Sequence, residues 1–287
     1  MIAATVPMPE WAANMCDLHV HSSPSIMPRH QDDTSAVSSH ESLGFTTIVL
    51  KSHEGSTAER ASLAGSSVIG GVVLNSALGG ANSDAVQVAA RLGGRIVWMP
   101  TVSARNHIQH QKSAALSVHR SFELREVPVT DENRLLPEWF GVLESIAEHD
   151  MVLASGHLSA SETVVLFRAA RALGVERLLV NHPQMRFIGW NDSVSQELQS
   201  LGAYAELSIL PDLVERGEIT SIQLASSYPP SLLAFGGDLG HAHFPRPESA
   251  LPGWLRRLEE AVGLETARII MSENGRALMS GSDSPSL

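Results

Sequence analysis

An internal disulfide is closed to this chain. Its 287 residues include a single cysteine, Cys16, and one thiol has no intramolecular partner. A reducing, cytoplasmic setting is the expectation that follows. Residues 1–11 show neither a basic start nor a long apolar run, so no secretory signal peptide is expected. No stretch approaches the ~20 apolar residues of a membrane helix. Positive charge is scarce too: 20 Lys and Arg stand against 31 Asp and Glu, a formal charge of -11. That imbalance, scattered rather than blocked, disfavours nucleic acid and anionic membranes as partners. It is compatible with an anionic small molecule, because a pocket can oppose the net charge. No Gly-rich phosphate fingerprint follows the first strand-like run, which counts against a doubly wound nucleotide fold. Internal repeats and low-complexity segments are missing as well.

What the chain does have is an apolar content of 43%, enough for a sizeable core, and a regular alternation. Short β-rich runs fall at Cys16–His21, Thr46–Lys51, Ile69–Asn75, Arg95–Pro100, Val152–His157, Arg177–His182, Ala203–Ser208 and Leu232–Asp238. Most are unbroken apolar stretches, as expected of strands covered on both faces. Helical signals fill the gaps. Asn82 or Ser83 caps a run ending at Gly93 and Gly94. Pro137 opens another. Ser159 and Glu162 have capping-box spacing before a helix closed by Gly174. Leu251–Met279 reads as two helices. Eight strands alternating with helices predict an α/β fold, a single-domain (β/α)8 TIM barrel over residues 1–280. Residues 281–287 read as a disordered tail. The connection from Thr101 to Leu136 is unusually long and carries Arg105, His107, His110, His119, Arg120 and Arg125. It reads equally as a lid over a site and as a surface excursion or oligomer contact.

The 13 histidines matter by position. His19 and His21 end the first run, Lys51 ends the second with His53 just beyond, and Asn75 ends the third. His157, His182 and Asp238 end the fifth, sixth and eighth; Glu206 lies on the seventh. In a parallel barrel these ends share the face where active sites sit. A His-x-His pair on a strand turns both imidazoles to one side. A third His and an Asp from other strands complete an N/O set suited to Zn²⁺, or to Mn²⁺ or Fe²⁺. A lone strand-end His is commonly a hydrogen-bonded structural residue; candidates at several matching ends argue for a metal.

The runs DLHVH (Asp17–His21), SGH (to His157), VNH (to His182), GGD (to Asp238) and ENGRALMSG resemble the amidohydrolase superfamily across nearly the whole chain. PSIMPR and VLKSH are similar to a bacterial group of that superfamily without an assigned function. The resemblance implies that His19, His21, His157 and His182 bind or adjoin metal, and that Asp238 binds metal and shuttles protons. It also implies one or two divalent ions, zinc foremost. The chain departs from the pattern at the fourth strand, where a carbamylated Lys or a Glu is usual and WMPT stands instead. Lys51, on the second strand, is then open to three roles: a carbamylated bridge between two metals, a substrate-carboxylate anchor, or half of a buried ion pair. A charged ammonium beside cations would be repelled. His53 is a further ligand candidate.

The activity expected is metal-dependent hydrolysis of an amide, cyclic amide or lactone. A cation would lower the pKa of its water to roughly 7, Asp238 would act as base and then acid, and His182 would hold a second metal or polarise the oxyanion. Arg29, Arg105 and Arg186 follow strands on the same face and, with Asn75, are the substrate-binding candidates; a guanidinium there suits a carboxylate. His241 and His243 line the mouth or are solvated. Trp98 reads as core, and Trp190 as core or pocket wall. A decarboxylase or deaminase on the same barrel is the first rival, and a non-catalytic small-molecule-binding barrel the second. A homo-oligomer is compatible with the apolar helix faces.

Overall fold

The computed structural model describes residues 7–112, 116, 119, 123, 125–213 and 219–280. The expected tail at 281–287 and Arg120 of the long connection lie outside them. All eight expected strands are present: β1 (Met15–Val20), β2 (Phe45–Leu50), β3 in two pieces (Val68–Ile69 and Gly71–Val73), β4 (Ile96–Trp98), β5 (Val152–Ala154), β6 (Leu178–Val180), β7 (Tyr204–Leu207) and β8 (Leu233–Phe235). Each pairs in parallel with the next. The break in β3 divides the hydrogen-bonded order into β1–β2–β3 and β3–β4–β5–β6–β7–β8. The ring closes where β8 meets β1, through a parallel bridge between Val20 and Leu239. There the Asp238 amide donates to the His19 carbonyl at 2.9 Å, and the His21 amide to the Leu239 carbonyl at 3.1 Å.

Alternation along the strands divides the core. Val49, Val73, Ile96, Trp98, Val152, Leu179 and Ala234 form one buried cluster with partners from most strands, the filling of the barrel interior. Their neighbours Ile48, Leu50, Phe235 and Leu207 join a second cluster with Trp254 and Leu258 of the helix Pro247–Val262. Val97, Leu153 and Val180 join a third with Phe167 of the helix Ala160–Ala172 and Trp139. Trp98 is fully buried, as its run implied, and closes the floor beneath the polar mouth.

The caps read from the sequence are in place. Asn82 accepts from the Ala85 amide, and Ser159 with Glu162 forms the capping box. The C-terminal stretch differs from two plain helices. The first begins at Pro247, and the second is a continuous run in which a π-helical turn, Ile269–Glu273, separates Leu264–Arg268 from Asn274–Met279. Just past this turn the Asn274 amide donates to the Pro230 and Leu233 carbonyls at 2.7 and 2.6 Å. This tie locks the last helix onto the barrel.

Candidate metal centre

The polar mouth begins with an irregularity in β1. Asp17 stands opposite Ile48, yet Val20 stands opposite Leu50. Three residues on one strand span two on the other, a β-bulge of the kind that re-aims side chains beside sites. From here both imidazoles of the His-x-His pair face the axis. His19 donates from Nδ1 to Glu206 Oε2 at 3.0 Å, and His21 donates from Nδ1 to the Lys51 carbonyl at 2.9 Å. With Nδ1 holding the proton in each ring, both Nε2 atoms carry bare lone pairs. Those atoms lie 3.2 Å apart, and Asp238 Oδ1 stands 3.2 Å from one and 3.3 Å from the other. Three potential metal donors therefore meet at one point, an arrangement a divalent cation fits. His182 borders them: its Nδ1 is 3.8 Å from Asp238 Oδ2 and 3.4 Å from Glu206 Oε1. His19, His182 and Asp238 each offer a ligand atom within 4.8 Å of the others.

The strands end earlier than the runs suggested because the chain turns sharply at these residues. His182 has φ 55° and Asp238 φ 54°, left-handed conformations that cost a side-chain-bearing residue energy and concentrate at functional sites. At β5 the same turn is taken by Gly156, φ 61°, one residue before His157. A Cβ on Gly240, φ 117°, would meet the His21 carbonyl oxygen at 1.9 Å, so only glycine lets the two strand ends approach here.

Glu206 ties the centre together. It is fully buried, and its Oε2 also accepts from the Asn181 amide at 2.8 Å. Burial alone would raise its pKa; His19, His182 and Lys51 outweigh that and hold it lowered. Asp238 behaves alike: burial raises it, and His19, His21 and His182 bring it well below the usual carboxylate range. Burial depresses Lys51 to about 8, with Glu206 and Asp238 working the other way. Its Nζ has no hydrogen-bond partner among the described residues and sits 5.7 Å from the Trp98 ring centroid.

His157 and His53 lie in the same mouth but apart from the three-donor point. His157 Nδ1 is 2.8 Å from Nδ1 of His107, and His53 Nδ1 is 2.9 Å from Thr101 Oγ1. The four proposed substrate contacts separate. Arg29 lines the pocket with Met27, Phe187, Phe244 and His241; its Nη2 is 3.3 Å from His21 Nδ1, and burial draws its pKa down to about 10. Asn75 is turned to the backbone instead, donating to the His53 carbonyl and Thr101 Oγ1 and accepting from the Thr101 and Ser103 amides. Arg105 pairs at the surface with Glu126 at 2.8 Å. Arg186 is exposed and outside the pocket lining. His243 adjoins His241, its ring 5.0 Å away; Trp190 packs against Tyr228. Sequence reasoning gave no role to Glu206, whose signal was an acidic residue inside an apolar run. It named His107 and His119 only as part of the long connection, read equally as a lid or a surface excursion, and did not name Leu116; the connection brings all three to the pocket region.

A family described as one of unknown function (DUF6282) matches residues 14–206, more than half of the chain. The chain belongs to this family. The match takes in His19, His21, Lys51, His53, His157, His182 and Glu206, and ends before Asp238. A comparison with curated proteins finds no match. Among solved structures, the chain is similar to a protein assigned as a 2-pyrone-4,6-dicarboxylic acid hydrolase from Acinetobacter baumannii with citric acid bound. The identity is 14% and the TM-score 0.61, over 93% of this chain and 99% of that one. A protein assigned to the same activity in Pseudomonas putida shares 18% identity, TM-score 0.58, over 93% and 97%. A 2,6-dihydroxybenzoate decarboxylase from Rhizobium shares 10%, TM-score 0.54, over 93% and 98%. These likenesses show the fold, a (β/α)8 barrel. No described helix is long and apolar enough to cross a membrane.

Proposed function

We propose that the chain is a metal-dependent hydrolase acting on an amide, cyclic amide or lactone bond of a small carboxylate-bearing substrate. The observation that carries this reading is the meeting of His19 Nε2, His21 Nε2 and Asp238 Oδ1 within 3.3 Å, with His182 at the border. A divalent cation there, zinc foremost, supplies Lewis acidity and a water that ionises near neutral pH. Glu206 fixes the His19 tautomer. Asp238, ionised and in reach of the axis, takes a proton from the attacking water and returns it to the leaving atom. His182 stands where it can face the developing negative charge. Arg29 holds a substrate carboxylate against the apolar walls of Met27, Phe187 and Phe244. Lys51, buried with no hydrogen-bond partner for its Nζ among the described residues, serves the site as a carbamate, or as an ammonium against a substrate carboxylate; intact mass with and without bicarbonate separates the two. The similar hydrolases, one holding citric acid, support an anionic substrate, and a cytoplasmic enzyme suits the lone thiol.

The test is metal content by mass spectrometry on protein purified without chelator, beside His19→Ala/His21→Ala, followed by a panel of carboxylated lactones, cyclic amides and amides. Metal lost in the double variant and turnover of a panel member support the reading. Carbon dioxide or ammonia release in place of hydrolysis would move the assignment to a decarboxylase or deaminase. A native chain that takes up no Zn²⁺, Mn²⁺ or Fe²⁺ would overturn it in favour of a binding protein.

A further inference from the structure

Arg105 and Arg29 both follow strands on the mouth, and they treat their charge differently. Arg105 gives its guanidinium to Glu126 at 2.8 Å. No carboxylate pairs with Arg29 among the described residues. Its Nη2 stands 3.3 Å from His21 Nδ1 and 3.8 Å from Met27 Sδ. The first of these directs its own proton to the Lys51 carbonyl and so has no lone pair to offer, and a thioether sulfur is a weak acceptor. The Nη edge of Arg29 therefore lines the pocket without a strong acceptor. A guanidinium withdrawn from water costs free energy until an anion meets it.

What holds the side chain is on its other edge. The backbone around Arg29 is fixed first, by an antiparallel bridge to His241 in the loop after β8. The His30 amide donates to the Gly240 carbonyl and the Ala242 amide to the Pro28 carbonyl, each at 2.9 Å. Arg29 Nε then donates to Ser25 Oγ at 3.2 Å. The same oxygen accepts from the Met27 amide at 3.2 Å and donates to Glu54 Oε1 at 2.7 Å. A hydroxyl has one proton and two lone pairs. All three are used here, and the proton can go only to Glu54. Glu54, from the turn after β2, is fixed in turn by the Ile26 amide at 2.7 Å and by Ser52 Oγ. Among the charges acting on Arg29, that of Glu54 does most to offset burial.

We propose that Ser25 and Glu54 are positioning residues for Arg29, a carboxylate–hydroxyl–guanidinium relay that fixes Nε and leaves the Nη edge open to a substrate carboxylate. The inference rests on the reading of Arg29 as the holder of that carboxylate and adds what orients it. Glu54 is kept one hydroxyl away from the guanidinium. From there its charge favours the cation, whereas a direct pair of the kind made by Arg105 and Glu126 would occupy donors that the substrate needs. The guanidinium plane is set before the substrate arrives, so less freedom is lost on binding. Met27, held through its amide by the same hydroxyl, is set with it as the neighbouring apolar wall.

The experiment is a double-mutant cycle on binding of citrate, the anion held by one of the similar hydrolases, read by calorimetric titration at matched metal content. The chains are wild type, Ser25→Ala, Arg29→Gln and the Ser25→Ala/Arg29→Gln double variant, each with the circular dichroism of wild type. If Ser25→Ala does not fold, Glu54→Gln takes its place in the cycle. Ser25→Ala is expected to weaken citrate about 3- to 10-fold, the range for one neutral hydrogen bond, and to have no further effect once Arg29 is glutamine. Ser25→Thr, which keeps the hydroxyl, should restore binding. Equal losses from Ser25→Ala in both backgrounds would show that the serine only holds its loop, and would overturn the inference while leaving Arg29 in its role. So would a Ser25→Ala chain that binds as wild type while Arg29→Gln does not. Citrate binding indifferent to Arg29→Gln, or absent from wild type, would overturn the carboxylate role of Arg29 and this inference with it.

Discussion

Glu206 Oε2 lies 3.0 Å from His19 Nδ1, and this contact decides which nitrogen of His19 faces the axis. Exchange of the carboxylate for an amide keeps the volume and removes the charge that fixes the tautomer. Glu206→Gln is expected to weaken zinc binding about 10- to 100-fold, read by competition against a chromophoric chelator. Zinc affinity equal to wild type in the folded variant would show that Glu206 does not set the ligand.

Asp238 is assigned both a ligand oxygen and the proton transfer. In Asp238→Asn one oxygen remains as a donor atom while the basic site is gone. Turnover is expected to fall about 10²- to 10⁴-fold, with metal content falling far less than in His19→Ala/His21→Ala. Equal losses of metal and rate would assign Asp238 to binding alone.

Arg29 supplies the positive charge among the pocket-lining side chains. Arg29→Gln is expected to weaken binding of citrate, a carboxylate probe, about 10- to 100-fold, the range for losing a charged hydrogen bond. Calorimetric titration reads this directly. A neutral lactone or amide should be affected much less, and equal losses on both would show a general packing role.

A pH signature comes from the outer side of the barrel. Burial lowers the pKa of His40, but Asp17, 3.4 Å from its Nε2, the Ala36 carbonyl accepting from its Nδ1 and the charge of Glu248 outweigh burial and leave it raised. The folded chain therefore holds this proton more tightly than the unfolded chain. The stabilisation is complete below the unfolded value of about 6.5 and is lost as pH rises through the folded value. Urea midpoints of wild type and His40→Asn should differ more near about pH 5.5 than near about pH 8.5. A gap that widens towards high pH would reverse the assigned sign.

The barrel was legible because its strands are covered on both faces and so read as apolar runs, each followed by a polar residue. Val152–Ala154 and Leu178–Val180 are plain cases. Their ends were less legible. Pattern continues through Ser155–His157 and Asn181–His182, while the backbone has already left the sheet under turn conformations that no periodicity encodes. At the candidate metal centre, His19, His21 and Asp238 stood out because their spacing and strand ends combine. Asn75 and Arg105 share those positions, yet the local backbone in one case and Glu126 in the other take up their polar groups. The contributions of His107 and His119 depend on how a long connection folds back over the mouth. That is a tertiary fact with no local signal.

The left-handed backbone at His182 and Asp238 has a consequence for the history of the fold. A side chain at such a position costs about 1–2 kcal/mol relative to glycine, so both residues are held against the stability of the chain. His182→Gly and Asp238→Gly should therefore melt no lower than His182→Ala and Asp238→Ala, although all four abolish the site. If the proposed function holds, a lineage of this chain that lost the activity is expected to drift to glycine or asparagine at these two positions.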